Sequence, residues 1–376
     1  MSYSDTKILY ITVYIITTLF AFLSQRRRKG KLVFRDLPFF CAFAIHWIVL
    51  AFTNIGVDYD HYVKSIEWTG FSDLSLFEEF VFNGLGYLLY SATKSADVTI
   101  FIIKSIEIVI LYYGFYRIRY QCNLGLAVLS YNALIFLQSI LLLSMHFAIV
   151  LLFLSFIYLL EKKWRKAIFI ALLSCTIHAS AILLLPVYVV YFLYTLKDKQ
   201  ISMITLLIAA VVILFVFSNL DSLFEYALSK IGFFQHYAIY GLISNYEGSG
   251  IMQILYFIPV FYFVVMIMTS TFENNVKNAA IVFSVMAFVC AMLGYKMEVF
   301  ARMNMNFLGL YSALVPMTLY AQRFKTEKFK IKIPYSINLV FWVSILLLRA
   351  YLVFQSNLSP DNEGEIQVYR LFNPFS

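Results

Sequence analysis

The stretch LLLSMHFAIVLLFLSFIYLLEKKWRK, residues 141–166, decides the fold class of this chain. Its first part, 141–160, is almost entirely apolar, and a helix of about 20 apolar residues spans the roughly 30 Å hydrocarbon core of a bilayer. Basic residues follow at once, at Lys162, Lys163 and Arg165. Clustered positive charge is typical of the cytoplasmic end of a membrane helix. The stretch therefore predicts a transmembrane helix that runs inward.

The composition extends this prediction to the whole chain. Its 376 residues are 62% hydrophobic and 13% charged, whereas soluble domains average about 45–50% apolar and about 25% charged residues. Apolar runs recur near 7–24, 37–54, 98–116, 123–138, 142–160, 167–177, 180–195, 201–218, 251–270, 279–293, 303–321 and 335–354. They predict an all-α polytopic membrane protein with about twelve transmembrane helices in a single domain, 1–376. The short run at 167–177 is interpreted as a broken pair with the next run.

Basic residues set the predicted orientation. When alternate connections are followed from the basic segment RRRKGKLVFR, residues 26–35, 20 of the 29 Lys and Arg residues lie on one side. Positively charged connections stay in the cytoplasm, which predicts that both termini are extracytoplasmic. The basic cluster follows the first apolar run, so that run is not expected to be a cleavable signal peptide. The net charge of +8 belongs to these connections, and no nucleic-acid partner is expected.

Two long connections fall on the predicted outer side, at 55–97 and 219–250. Both mix aromatic with charged residues and are too polar to span a membrane, which is typical of interfacial or re-entrant helices. The first contains the polar segment NIGVDYDHYVKSIEW, residues 54–68. The predicted inner connections are short and contain no recognisable soluble module. The sequence therefore favours a function at the outer face.

Ionisable residues inside the predicted spans carry a cost of about 2.5–3.5 kcal/mol each at the centre of a membrane helix. Lys104 and Glu107 lie three positions apart on one helix face and are expected to pair. Further polar residues fall near the outer ends of spans: His146, His178, Lys296, Glu298, Arg302 and Arg349. Their common depth favours a polar cavity that opens outward, and snorkelling side chains are the alternative. His46, in mid-span, is expected to be a hydrogen-bonded core residue.

Several kinds of chemistry find no support in the sequence. No Gly-rich phosphate loop and no metalloprotease His spacing is present, so no cofactor is predicted. Asp58 and Asp60 are close enough in sequence to share a divalent cation, but nothing supplies the remaining ligands, so no metal is predicted. The four cysteines lie in or beside apolar segments and are interpreted as small buried hydrophobic residues.

Three short motifs carry a resemblance to a known family. They are GVDYDHY at 56–62, TIHASAILLLPVY at 176–188 and ARMNMNF at 301–307. In this order they are similar to the Gly-x-Asp-Tyr-x-x-Tyr element, the His-x-Ser-Ala element and the late Arg of the EpsG/Wzy-type bacterial polysaccharide polymerases. The number of predicted helices and the outside N-terminus also match. One departure is that Met145 and His146 stand where the family often has an Arg-Gln pair. An Arg contact to substrate is therefore lost there, or has moved to His146 or Arg349.

The resemblance implies a glycosyltransferase of GT-C-like architecture in the bacterial inner membrane. Such a polymerase transfers a growing glycan from undecaprenyl pyrophosphate to a sugar hydroxyl of a lipid-linked repeat unit on the outer leaflet. Its partners would be these lipid-linked oligosaccharides, membrane lipid and a chain-length regulator. It needs no sugar nucleotide, which agrees with the short inner connections.

This reaction needs a base for the acceptor hydroxyl and cations for the pyrophosphate leaving group. Asp58 is the first candidate base and His178 the second. The alternative for Asp58 is a loop cap or a partner for a neighbouring Lys, and the alternative for His178 is a helix-end hydrogen bond. The candidate cations are Arg302, Arg349 and Lys296. The candidate sugar contacts are Asp60, Tyr62 and Glu67, and the remaining predicted substrate contacts are His146 and Glu298.

Two other functions stay open at this point. A flippase for lipid-linked oligosaccharides also suits about twelve helices, but it predicts repeat symmetry and charges at the membrane midplane. A membrane acyltransferase predicts a deep catalytic histidine that is approached from the cytoplasm, for which His46 alone is weak support.

Overall fold

The computed structural model describes residues 3–28, 31–56, 58–68, 70, 79–185, 188–189, 262–264, 266–267, 274–294, 298–322, 334–357, 369 and 372–374. The predicted outer connection 219–250 and Lys296 lie outside them. The chain divides into two compact units, Met1–Ile182 with Leu308–Ser376, and Leu183–Phe307. The single domain predicted over 1–376 stays a prediction.

Helices dominate the described chain. In the first half they are α1 Tyr3–Leu23, α2 Asp36–Ala51, α3 Tyr59–Trp68, α4 Phe80–Thr93, α5 Ala96–Ile118, α6 Leu124–Leu134, α7 Phe136–Leu141, α8 Leu143–Leu160 and α9 Trp164–Ile177. A 3₁₀ helix, Ala179–Leu183, follows, and then α10 Asn274–Gly294, α11 Glu298–Gln322 and α12 Tyr335–Asn357. One short antiparallel hairpin, β1 Gln25–Arg28 with β2 Lys31–Phe34, joins α1 to α2.

Among the described residues, four helices are long and apolar enough to cross a membrane: α1, α5, α8 and the segment Tyr335–Gln355 of α12. Shorter apolar helices are α2, α6 and Lys277–Ala291 within α10. The protein is therefore an all-α membrane protein apart from the hairpin. The number of twelve spans and the GT-C-like architecture stay predictions.

One apolar face of α1 borders an open groove of about 800 Å³ that this helix shares with α6 and α12. Ile8, Ile11, Ile15, Leu19 and Phe22 are each 47–62% exposed and follow one another at helical spacing. In water such a continuous apolar stripe would mark an interaction site or an aggregation hazard. Next to lipid tails it costs nothing, because the hydrocarbon is as apolar as the side chains. The stripe therefore agrees with a helix at the lipid boundary.

Helix α8 is the central helix of the first unit, with residues Leu143–Leu159 buried. Gly114 lets α5 approach it closely, since a β-carbon at that position would stand 2.5 Å from the ring of Phe153. Against α9, the Ser155 hydroxyl donates to the carbonyl of Ala167 at 2.6 Å. These contacts use small or polar residues, as is typical of helix packing in membranes.

The basic connections meet at one end of the first unit, which we call the hairpin end. The Gln25 amide donates to the carbonyl oxygens of Arg119 and Cys122, and it accepts from the Leu124 amide at 2.8 Å. At the same end Arg117 binds both carboxylate oxygens of Glu161. The connections that sequence reasoning assigned to one side are therefore joined by direct contacts.

The opposite end, which we call the α3 end, carries α3 and α4 between α2 and α5. The exposed residues of α3 are Asp60, His61, Lys64, Glu67 and Trp68, while Tyr59 and Ile66 are buried. This pattern is that of an amphipathic helix. It agrees with the prediction of interfacial or re-entrant helices in the connection 55–97.

Candidate functional site

The segment before α3 is held close to a break between α7 and α8. Gly56 has φ +128°, and a β-carbon there would stand 2.7 Å from the carbonyl oxygen of Ile140. The break itself lies at Leu142, whose φ of −120° and ψ of 81° are not helical. Glycine alone meets both requirements, because it tolerates positive φ and has no side chain. The first residue of the GVDYDHY motif therefore has a packing role.

Two tyrosines of the motif anchor α3. The Tyr59 hydroxyl donates to Oδ1 of Asp97 at 2.6 Å, at the start of α5. The Tyr62 hydroxyl lies 3.2 Å from Oγ of Ser144 and accepts from the Ser144 amide at 3.4 Å. Burial raises the pKa of Tyr62 to about 12, and the carboxylates of Glu79 and Asp58 add to this effect. The Tyr62 phenol is therefore a hydrogen-bond donor at neutral pH.

Asp58 lies between Gly56 and these anchors. Its carbonyl oxygen accepts from the Tyr62 amide at 2.9 Å, and its side chain is half-buried. In the part of the chain that the structure describes, no hydrogen bond or ion pair holds its carboxylate. The backbone of Asp58 is therefore held at the start of α3, while its carboxylate has no partner among the described residues.

His178 joins α9 to this group. Helix α9 ends at Ile177, and His178 continues in extended backbone with φ −148° and ψ 127°. Its Nδ1 lies 3.3 Å from Oγ of Ser144 and is hydrogen-bonded to Oε1 of Glu79. Asp58, Tyr62, Ser144, His178 and Glu79 are thus one group, which we call the outer cluster.

The outer cluster is not a nucleophilic triad. In such a triad the serine and the carboxylate bond opposite nitrogens of the histidine, whereas Ser144 and Glu79 both contact Nδ1 of His178. Within the described residues nothing bonds Nε2, and the ring is 22% exposed. With a carboxylate on Nδ1, the neutral ring carries its proton there and presents a lone pair at Nε2. His178 is therefore suited to accept a proton.

A second group lies beneath the outer cluster and is fully enclosed. Nδ1 of His146 is 2.5 Å from Oε2 of Glu107, and both side chains are 2% exposed. Nε2 of His146 is 3.0 Å from the Tyr131 hydroxyl. Lys104 donates to the carbonyl oxygen of Thr53 at 3.0 Å. Among the described contacts no direct ion pair joins Lys104 to Glu107, because each side chain has another direct partner, although the two charges still interact.

The pair of Glu107 and His146 lies at different depths along its two helices. Glu107 lies eleven residues after Ala96, the first residue of α5. At a rise of 1.5 Å per residue this is about 16 Å along the helix. His146, which contacts Glu107, is only three residues after the start of α8 at Leu143. Helix α8 therefore starts further along the axis of α5 than α5 itself does.

The other predicted site residues have different surroundings. Asp60 and Glu67 are exposed on α3, beside the outer cluster but without a described contact to it. Arg349 is partly buried in α12. Glu298 and Arg302 belong to α11, in the second unit, and their side chains lie outside the described part.

His146 has both ring nitrogens engaged by the protein, so its contact to substrate stays a prediction. His46 is fully buried with Nδ1 2.8 Å from the Tyr112 hydroxyl, which confirms the expected core role.

Sequence reasoning missed Glu79, Ser144 and Tyr131 as members of these two groups. A signal existed for Ser144, which interrupts an apolar stretch two residues before His146. Glu79 directly precedes α4 and is one of several acidic residues in the connection 55–97. Neither sequence feature predicts which histidine the residue contacts in the folded protein.

Comparison with known proteins gives one family. No curated protein and no solved structure matches this chain. The family model described as EpsG family matches residues 36–369, which include both groups. Because this match covers most of the chain, the protein belongs to the EpsG family, and it has in general the role of a polysaccharide polymerase in a membrane.

Proposed function

We propose that this protein is a glycosyltransferase that extends a polysaccharide at the outer leaflet of the bacterial inner membrane. It would move a growing glycan from a lipid pyrophosphate, such as undecaprenyl pyrophosphate, to a sugar hydroxyl of a lipid-linked repeat unit. The observation that carries the proposal is the outer cluster. It gathers a carboxylate and an imidazole nitrogen that have no partner among the described residues, at the end opposite the basic connections.

The reaction needs one proton acceptor at this place. The acceptor hydroxyl loses its proton as its oxygen bonds to the anomeric carbon of the donor. The bond from that carbon to the phosphate oxygen breaks, and its electron pair leaves with the pyrophosphate. Asp58 and Nε2 of His178 are the two candidate acceptors, and general-base catalysis of this kind contributes about 10²–10⁴-fold to rate. The Tyr62 phenol, protonated at neutral pH, donates to a sugar oxygen.

Positive charge is needed for the departing pyrophosphate. Arg302 and Lys296 are the proposed sources, with Arg349 as a third. An Arg contacts phosphate through two parallel hydrogen bonds, whereas a Lys acts as a point charge. Placed where water is excluded, such cations stabilise the charge that develops in the transition state.

The test replaces the two candidate bases one at a time. Asp58→Asn and His178→Ala are expressed in the source bacterium from which the native copy has been deleted, and polymer is examined as a ladder on gels. Loss of the ladder at wild-type protein level is expected for at least one of them, and for Arg302→Ala. Wild-type ladders from all three variants would overturn the proposal. The matched control is Glu161→Gln, at the hairpin end, which is expected to keep the ladder.

A lipid profile of the deletion strain separates this function from a flippase. Without a polymerase, single repeat units on their lipid carrier accumulate at the outer leaflet, where an impermeant glycosidase removes them in intact cells. Without a flippase, the same lipids accumulate inside and are cleaved only after the cells are opened. Accumulation inside would overturn the proposal and favour the flippase.

A further inference from the structure

The hydrogen bond between Glu79 and His178 joins residues that are 99 positions apart in sequence. The two side chains are 26% and 22% exposed. Polar side-chain contacts with this much access to solvent contribute little to stability, because water competes for the partners and screens their charge. The pair therefore has no evident purpose in holding the fold, and a role in the outer cluster explains its geometry better.

The backbone at Glu79 supports this reading. Glu79 adopts φ 51° and ψ 43°, in the left-handed region, which non-glycine residues rarely adopt outside Asn and Asp. It stands at the N-cap of α4, where a side chain normally accepts from the first amides of the helix. The Glu79 carboxylate makes no such cap bond. Its carboxylate is turned instead to His178, and strain of this kind is concentrated at functional sites.

We propose that Glu79 is a positioning residue that holds the proton of neutral His178 on Nδ1 and so makes Nε2 the base. The inference rests on the proposed function and adds to it the choice of His178 as base and a residue that sets its tautomer. A carboxylate accepts hydrogen bonds and has none to donate. Nδ1 must therefore be the donor in this pair. Ser144, held by Tyr62, touches the same nitrogen at 3.3 Å and limits rotation of the ring.

The proton balance follows from this arrangement. The acceptor hydroxyl gives its proton to Nε2 while its oxygen bonds to the anomeric carbon, and the pyrophosphate leaves with the electron pair. His178 is then an imidazolium beside the Glu79 carboxylate, which stabilises the charge that has just formed. The imidazolium returns its proton to water after the product moves on. No oxidant, reductant or metal takes part in these steps.

The experiment is a double-mutant cycle with the full chain in lipid nanodiscs. The substrate is the lipid-linked repeat unit extracted from the deletion strain, and kcat and KM are measured for wild type, Glu79→Ala, His178→Ala and the double variant. His178→Ala is expected to lose about 10²–10⁴-fold in kcat. Glu79→Ala is expected to lose at least about 10-fold in kcat with KM unchanged, since a positioning residue acts through the base. The double variant is expected to match His178→Ala within about 2-fold, because residues that act as a unit are not additive.

Two further variants control for folding. Glu79→Gln keeps an oxygen that can accept from Nδ1 and is expected to recover part of the lost kcat. Lys94→Ala is the matched control, because Lys94 ends α4 with a similar left-handed backbone, φ 57°, and lies away from the outer cluster. It is expected to keep wild-type kcat.

The outcomes separate the inference from the function beneath it. If His178→Ala is inactive and Glu79→Ala has wild-type kcat, the inference is overturned while the polymerase proposal stands. An additive loss in the double variant also overturns the inference, since it means that Glu79 acts independently of His178. If His178→Ala keeps full activity while Asp58→Asn is inactive, the polymerase stands with Asp58 as base and the inference fails. The inference is supported if Glu79→Ala loses kcat and the double variant loses no more than His178→Ala alone.

Discussion

Gly56 lies against the carbonyl oxygen of Ile140, so closely that a β-carbon at position 56 would stand 2.7 Å from that oxygen. This contact couples the start of the GVDYDHY motif to the break between α7 and α8. Through it the position of Asp58 depends on the same break that presents Ser144. A shift of this break would therefore move both the motif and the outer cluster.

Replacing this glycine tests that coupling. Gly56→Ala is expected to destabilise the protein by about 1–3 kcal/mol, because it adds a backbone clash to a strained φ, and to reduce polymerisation. The measurement is thermal unfolding in detergent together with the polymer ladder. Gly84→Ala is the matched control: Gly84 lies within α4 with nothing within 4 Å of an added β-carbon. There the change is expected to stabilise by up to about 1 kcal/mol. Equal effects of the two substitutions would contradict the packing role of Gly56.

The buried pair of Glu107 and His146 makes a second prediction. Glu107→Leu leaves the enclosed His146 without its carboxylate, and His146→Leu does the reverse, so each is expected to destabilise by about 3 kcal/mol. The double replacement by leucine is expected to recover most of that loss, because an apolar pair needs no partner. Thermal unfolding of the four proteins gives the coupling energy. A single Glu107→Leu variant as stable as wild type would show that the pair is unimportant.

The raised pKa of Tyr62 predicts that the stability of the folded protein depends on pH. Burial raises its pKa in the folded protein to about 12 from an ordinary value of 10.0. Between these values the unfolded chain gives up the phenol proton and the folded protein keeps it, so stability falls as pH rises, by at most about 1.4 kcal/mol per pH unit. Below pH 10 the two states bind the same proton, and this group contributes no slope.

Tyr62→Phe removes that slope. The variant is expected to be about 1 kcal/mol less stable than wild type at pH 8, because it loses the contacts with Ser144. The difference should shrink above pH 10 and change sign near pH 11, where titration has removed about 1 kcal/mol from the stability of the wild-type protein. Chemical denaturation across pH 8 to 12 measures it. A difference that stays constant over this range would show that Tyr62 titrates alike in both states.

The orientation of the protein is open to a direct measurement. Arg26 and His61 are both exposed, the first at the hairpin end and the second on α3. Each is replaced by cysteine in a chain whose four native cysteines are changed to serine or alanine. In intact cells an impermeant maleimide is expected to label His61→Cys at once and Arg26→Cys only after the inner membrane is opened. Labelling in the opposite order would place the outer cluster on the cytoplasmic side. The cluster could then not reach a lipid pyrophosphate at the outer leaflet, and the proposed function would be contradicted.

Sequence alone determined that this is a membrane protein and which basic connections lie on the same side. The hydropathy of a span is a sum over about 20 neighbouring residues. It can therefore be calculated from the sequence without knowing how the helices pack. Charge counting likewise grouped the connections that Gln25 and Arg117 are found to join. The hairpin that contains Gln25 was not predicted, because its residues carry no alternating apolar pattern that indicates a strand.

The tertiary structure alone decided the partners within the site. Tyr62 meets Ser144 across 82 positions and Glu79 meets His178 across 99, and no local pattern records such distances. The left-handed backbone at Glu79 and the interrupted helix at Leu142 determine where the side chains of Glu79 and Ser144 lie. The same packing gave Glu107 a direct contact with His146, on another helix, in addition to its charge interaction with Lys104. Hydrophobicity placed the helices in the membrane, while side-chain contacts between helices determined which histidine each carboxylate binds.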